Sequence, residues 1–64
     1  MAIWNVGDIV TRKLHPSSLI DWFIIESIDD GNYYCRVLKS ERLKIGEVLP
    51  FIRYRLNTQF TKIT

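Results

Sequence analysis

Apolar and polar positions alternate most clearly between Trp22 and Leu38. Two β-branched and aromatic runs, Trp22-Phe23-Ile24-Ile25 and Tyr33-Tyr34-Cys35-Arg36-Val37-Leu38, flank the turn-forming cluster Asp29-Asp30-Gly31-Asn32. That pattern predicts a β-hairpin. Side chains alternate between the two faces of a strand, so Phe23, Ile25, Tyr33, Cys35 and Val37 are expected to share one buried face. Ile24, Glu26, Tyr34, Arg36 and Leu38 fall on the other. Ile28 has the wrong parity to join Phe23 and Ile25, which predicts a β-bulge near Ser27.

The remaining elements read as strands added to this hairpin. Gly7-Asp8 is a turn pair ahead of a first strand, Ile9 to Leu14, with Val10 and Leu14 facing inward. Arg12 shares their parity, so the strand must twist, bulge or end near the rim there. His15-Pro16-Ser17-Ser18 opens a long first connection, because Pro16 holds its predecessor extended and serines suit loops. Leu19 and Ile20 could anchor it. Lys39 to Gly46 is a charged, exposed connection. Glu47 to Phe51 is a fourth strand, confined by Pro50 to an edge or a bulge. Ile52 to Leu56 reads as a single tight 3-10 turn, broken by Asn57-Thr58, and Gln59 to Thr64 as a short closing strand. No amphipathic run is long enough for a stable helix. Five short strands in 64 residues point to an all-β, small, closed or nearly closed barrel, which removes exposed sheet edges.

Size and composition narrow the class. One domain of this length buries only about 60% of the surface its unfolded chain exposes. Its stability is expected near 3–5 kcal/mol. The two Trp, three Tyr and three Phe therefore matter to the core, and Trp4 and Trp22 are either plugs for the barrel ends or a binding surface. An apolar share of 47% and a charged share of 25% argue against disorder. The single cysteine, Cys35, allows no intrachain disulfide, which favours a reducing cytoplasm. The N-terminal residues carry no signal-peptide pattern. The apolar run Trp22 to Ile25 falls far short of the roughly 18 residues of a membrane span.

In order along the chain, Gly7-Asp8-Ile9-Val10, a proline-containing loop, Phe23-x-Ile25, Gly31, Tyr33-x-Cys35-Arg36-Val37 and Phe51-x-x-x-x-Leu56 resemble small bacterial SH3-like barrel proteins of the KOW and Tudor-like class. The resemblance spans about residues 6 to 57. It implies a five-stranded barrel and an interaction module with no fixed ligand. Arg12 departs from it, standing where an apolar residue is usual.

Candidate chemistry is sparse, and no catalytic constellation is visible. Cys35 and His15 are the only thiol and the only imidazole. A buried structural cysteine and a solvated loop histidine explain them better than a nucleophile pair. Two such ligands are too few for a structural zinc site. Asp29 and Asp30 suit turn chemistry better than cation binding. No phosphate-cradling glycine loop is present.

The chain is thus expected to be a non-enzymatic binding module without a cofactor. Aromatic and aliphatic residues exceed what one inward face per strand needs. That surplus points to a protein partner docked on the outer hairpin face and the first loop, through Trp22, Tyr34, Arg36 and Leu38. The alternative is RNA or DNA held by Arg36, Lys39, Arg53, Tyr54 and Arg55, cations for phosphate and aromatics for stacking. Its formal net charge of +2 is weak for that role, and interspersed Glu26, Glu41 and Glu47 fit an ordinary mixed surface.

Overall fold

The computed structural model describes residues 4–13 and 21–63. The strands are β1 (Ile9–Arg12), β2 (Trp22–Asp29), β3 (Asn32–Lys39), β4 (Val48–Ile52) and β5 (Phe60–Lys62), with one helix, α1 (Arg53–Gln59), between the last two. They form one antiparallel open sheet in the order β4-β3-β2-β1-β5. The first connection, with Leu14, His15 and Pro16, lies outside the described residues.

The β2–β3 hairpin is built as its local chemistry requires. Asp29 pairs with Asn32, leaving Asp30 and Gly31 as a two-residue loop. Both have positive φ, 47° and 84°. That is the backbone of a type I′ turn, whose twist matches its strands; Asp tolerates the left-handed region and Gly enters it without strain. The expected bulge is present, as a register shift between Ile25 and Ser27. On its other side β2 is held there by the lead-in to β1. The Gly7 amide donates to the Ile25 carbonyl at 2.8 Å, and the Ile25 amide donates to the Asp8 carbonyl at 2.9 Å. Past the bulge Ile28 lies opposite Tyr33, yet it sits at the sheet's end and stays exposed.

The inward face follows the hairpin parity. Phe23, Ile25, Tyr33, Cys35 and Val37 are all buried, joined by Val10, Phe51, Leu56 and Phe60. Trp4 is buried as well, its indole donating to Asn57 Oδ1 at 2.6 Å. Three phenylalanines form the centre. Phe23 of β2 meets Phe51 of β4 at 5.4 Å and Phe60 of β5 at 5.6 Å, both edge-to-face, and Phe51 meets Phe60 at 5.1 Å. β4 and β5 are the two edges of the sheet, so their ring contact requires the sheet to curl on itself.

Three details correct the sequence expectation. The sheet is open: β4 and β5 touch through side chains, and α1 spans between them in place of a closing ladder. The segment expected as a single 3-10 turn near residues 52–56 is an α-helix that runs to Gln59. Asn57 and Thr58 do not break it, because their polar side chains are occupied. Asn57 receives the Trp4 indole, and the Thr58 hydroxyl donates to the Tyr54 carbonyl at 2.8 Å, one turn back. Finally, the closing strand is only Phe60–Lys62, with Ile63 exposed beyond it.

The aromatic centre should dominate stability. Phe60→Ala is expected to cost about 3–5 kcal/mol, as for large-to-small core changes generally. In urea denaturation followed by tryptophan fluorescence, that loss should leave much of the variant unfolded without denaturant.

Candidate functional site

The outward face of the sheet carries rows of paired residues. Ile9, Ile24, Arg36 and Val48 stand side by side across β1 to β4, and Ser27, Tyr34 and Pro50 make a neighbouring row. Cross-strand partners point to the same face, so these rows form one surface. Ile9, Ile24 and Tyr34 are half-buried, whereas Leu38, Val48 and Ile52 are exposed. Trp22 is half-buried between Thr11 and Lys39 in the register, with the Lys39 ammonium 5.3 Å from its ring centroid. Trp22, Tyr34, Arg36 and Leu38 therefore lie on the hairpin's outward side, and Trp4 belongs to the core. The first loop is outside the described residues.

Arg36 is committed within this surface. Its guanidinium makes a two-point contact with the Glu26 carboxylate, Nη2 to Oε1 at 2.9 Å and Nε to Oε2. Nη1 also donates to the Gly46 carbonyl at 2.7 Å. The hydrogen bond and charge of Arg36 hold the Glu26 carboxyl below its ordinary range, and Glu26 raises Arg36 in return. The face is thus locally neutral where its one arginine stands.

The other basic residues do not converge on that face. Arg55 donates through Nε and Nη2 to Gln59 Oε1, both at 3.2 Å, and its Cζ lies 5.4 Å from the Phe51 ring centroid. Arg53 is exposed on α1, and its side chain makes no hydrogen bond or ion pair among the described residues. Tyr54 beside it is 70% exposed, more than any other large hydrophobic among the described residues. Arg36 and Lys39 lie on the sheet's outward side, while Arg53, Tyr54 and Arg55 lie on the helix.

Sequence reading missed a polar centre around Asp21. This carboxylate is fully buried. It accepts from Ser40 Oγ at 2.8 Å and from Arg42 Nη2 at 2.9 Å, and Arg12 Nε approaches its Oδ2 to 3.0 Å. The Arg12 contact is an ion pair without hydrogen-bond alignment, which leaves that buried Nε unsatisfied. Burial alone would raise the Asp21 carboxyl. The hydrogen bonds from Ser40 and Arg42, with the charges of Arg42 and Arg12, outweigh it and hold the group below its ordinary value. The available signal was Arg12 on an inward position, since a buried cation requires a counter-charge.

Cys35 is buried, its Sγ 3.6 Å from the Tyr33 carbonyl, and burial pushes its thiol pKa up to about 11. A thiol so raised is protonated at neutral pH and is a poor nucleophile. His15 lies outside the described residues. No group of three or more His, Cys, Asp or Glu among the described residues is placed to hold a metal ion. No helix among them is long and apolar enough to cross a membrane.

No protein-family model matches the chain, and neither the curated proteins nor the solved structures contain a significant match.

The Asp21 centre carries a pH signature. A carboxyl whose native pKa is depressed stabilises the fold above its unfolded pKa, about 3.9. That stability is lost as pH falls through the lower native value. Urea midpoints of the wild type should therefore drop below about pH 4. Asp21→Asn should cost about 3–5 kcal/mol at pH 7, as expected when one member of a buried ion pair is removed, and should flatten the acid limb of the profile.

Proposed function

We propose that the chain is a small SH3-like barrel that serves as a non-catalytic protein-binding module in the cytoplasm. The curl that brings Phe51 and Phe60 of the two edge strands to 5.1 Å supports the barrel reading, together with the resemblance carried by Gly7-Asp8, Tyr33-x-Cys35 and Phe51-x-x-x-x-Leu56. A buried, protonated Cys35 supports a structural thiol, and the single cysteine, which allows no intrachain disulfide, supports a reducing compartment.

The observation that carries the binding reading is the outward sheet face. Val48 and Ile52 on the edge strand and Leu38 on β3 remain exposed beside half-buried Ile24 and Tyr34. The one arginine among them is neutralised by Glu26. An apolar surface whose charges are internally paired suits a protein partner better than a polyanion. Pro50 in the middle of β4 offers no amide hydrogen, so the edge is a poor template for an added strand. The partner is therefore expected on the face of the sheet, with Trp22, Tyr34, Arg36 and Leu38 in or beside the contact.

A second reading, RNA or DNA binding, is favoured by Tyr54 and Arg53 on α1, an exposed aromatic next to a cation with no ion pair among the described residues. It uses Arg36 and Lys39 less well, because Arg36 is held by Glu26 and Lys39 lies over Trp22.

Affinity capture with the wild type and with a Val48→Glu/Ile52→Glu variant separates the two. Both positions are exposed, so amide NMR spectra should show the fold retained. Partners recovered by the wild type should be lost by the variant, and retention of all of them would overturn face docking. In gel shifts at low salt, a retarded oligonucleotide complex that weakens steeply with salt would favour the second reading.

A further inference from the structure

We propose that Arg12, Arg42 and Arg55, converging at one end of the curled sheet, form a binding site for a phosphate dianion, free or as the monoester of a small molecule. This site is separate from the outward sheet face.

The convergence rests on the aromatic centre and on Asp21. Arg12 Cζ lies 5.4 Å from the Phe60 ring centroid and 5.9 Å from that of Phe23. Arg55 Cζ lies 5.4 Å from the Phe51 ring, and the three rings touch one another. Two guanidiniums thus rest on one aromatic cluster, each held by cation–π contact. Their elements also meet directly, since the Lys13 amide donates to the Gln59 carbonyl at 2.8 Å, where Gln59 is the residue that holds Arg55. Arg42 joins through the carboxylate it shares with Arg12.

Among the described residues, the charges at this end do not balance. Three guanidiniums face one carboxylate, because the side chain holding Arg55 is the neutral Gln59. Two positive charges remain, and a phosphate monoester carries about −1.5 to −2 at neutral pH. Donors are left over as well. Arg12 Nε has no aligned acceptor among the described residues, the Arg42 side chain donates to Asp21 through Nη2, and Arg55 donates to Gln59 through Nε and Nη2 with Nη1 outside that contact. The arginines repel one another: burial depresses Arg12 most, Asp21 opposes that, and the charges of Arg42 and Arg55 add to the depression. An anion among them relieves this repulsion. Planar, pre-positioned guanidiniums are suited to tetrahedral oxyanions, which accept from several forks at once.

The test is a titration of isotopically labelled protein with sodium phosphate at pH 7.5, following the arginine Nε–H resonances by NMR. Sodium chloride and sodium acetate at equal ionic strength are the controls. Saturable shifts at Arg12, Arg42 and Arg55 are expected with phosphate and not with either control. A parallel titration with glycerol phosphate tells whether the ester or the free ion binds more tightly; saturation by either supports the site. Binding should weaken severalfold at pH 5, where the monoester is singly protonated. Arg55 makes no hydrogen bond or ion pair with Asp21, so in Arg55→Gln the resonances of the Asp30-Gly31 turn should be unchanged while affinity falls at least fivefold. No saturation by either phosphate, acetate binding equal to phosphate, or undiminished affinity in Arg55→Gln would each overturn the proposal.

Discussion

The contact on which the rest of the structure depends is the meeting of Phe51 and Phe60. These side chains come from the two edges of the sheet and approach to 5.1 Å, with Phe23 against both. A flat five-stranded sheet would hold its edges far apart, at nearly 5 Å per strand step. The aromatic contact therefore fixes the curl. Aromatic pairs of this kind contribute about 0.5–1.5 kcal/mol beyond their burial, a large share for so short a chain. The curl in turn encloses Val10, Ile25, Cys35 and Val37, and it sets the gap that α1 must cross. Leu56, the one buried residue of the helix, packs into the same core.

Two arginine environments show how burial changes the meaning of the same ion pair. Arg36 and Glu26 face solvent, and their contact neutralises a patch of the outward sheet without anchoring the fold. Asp21 is removed from water altogether, and its burial obliges Ser40, Arg42 and Arg12 to gather around it. The second arrangement ties the start of β2 to the connection after β3 and to the end of β1. It also leaves more cation than anion at that end of the molecule. The outward face and the arginine end are therefore different surfaces in kind, one apolar with paired charge and the other cationic on an aromatic base.

Much of the hairpin was legible because its determinants are local. Asp30-Gly31 specifies a tight turn, and strict alternation assigns Phe23, Ile25, Tyr33, Cys35 and Val37 to the core. Arg12 carried a visible anomaly of parity, but nothing nearby in sequence named Asp21, Ser40 and Arg42 as its company. The helix was misjudged for a similar reason. Asn57 and Thr58 are poor helix residues by local preference, yet the Trp4 indole reaches Asn57 from 53 positions away. Of the candidate site residues, Tyr34, Arg36 and Leu38 were placed on the outward side of the sheet, Trp22 stood open between a barrel plug and a binding surface, and the pairing that neutralises Arg36 was not foreseen.

By itself the sequence determined the strands, the turn between β2 and β3, the bulge after Ile25 and the buried face, because each follows from spacing within a few residues. Only the tertiary structure decided that the sheet stays open yet curls, that α1 extends to Gln59, and that Arg12 and Arg42 meet at one buried carboxylate. Those outcomes depend on contacts between residues far apart in the chain. Periodicity reports which side a residue faces and carries no information about what it meets there.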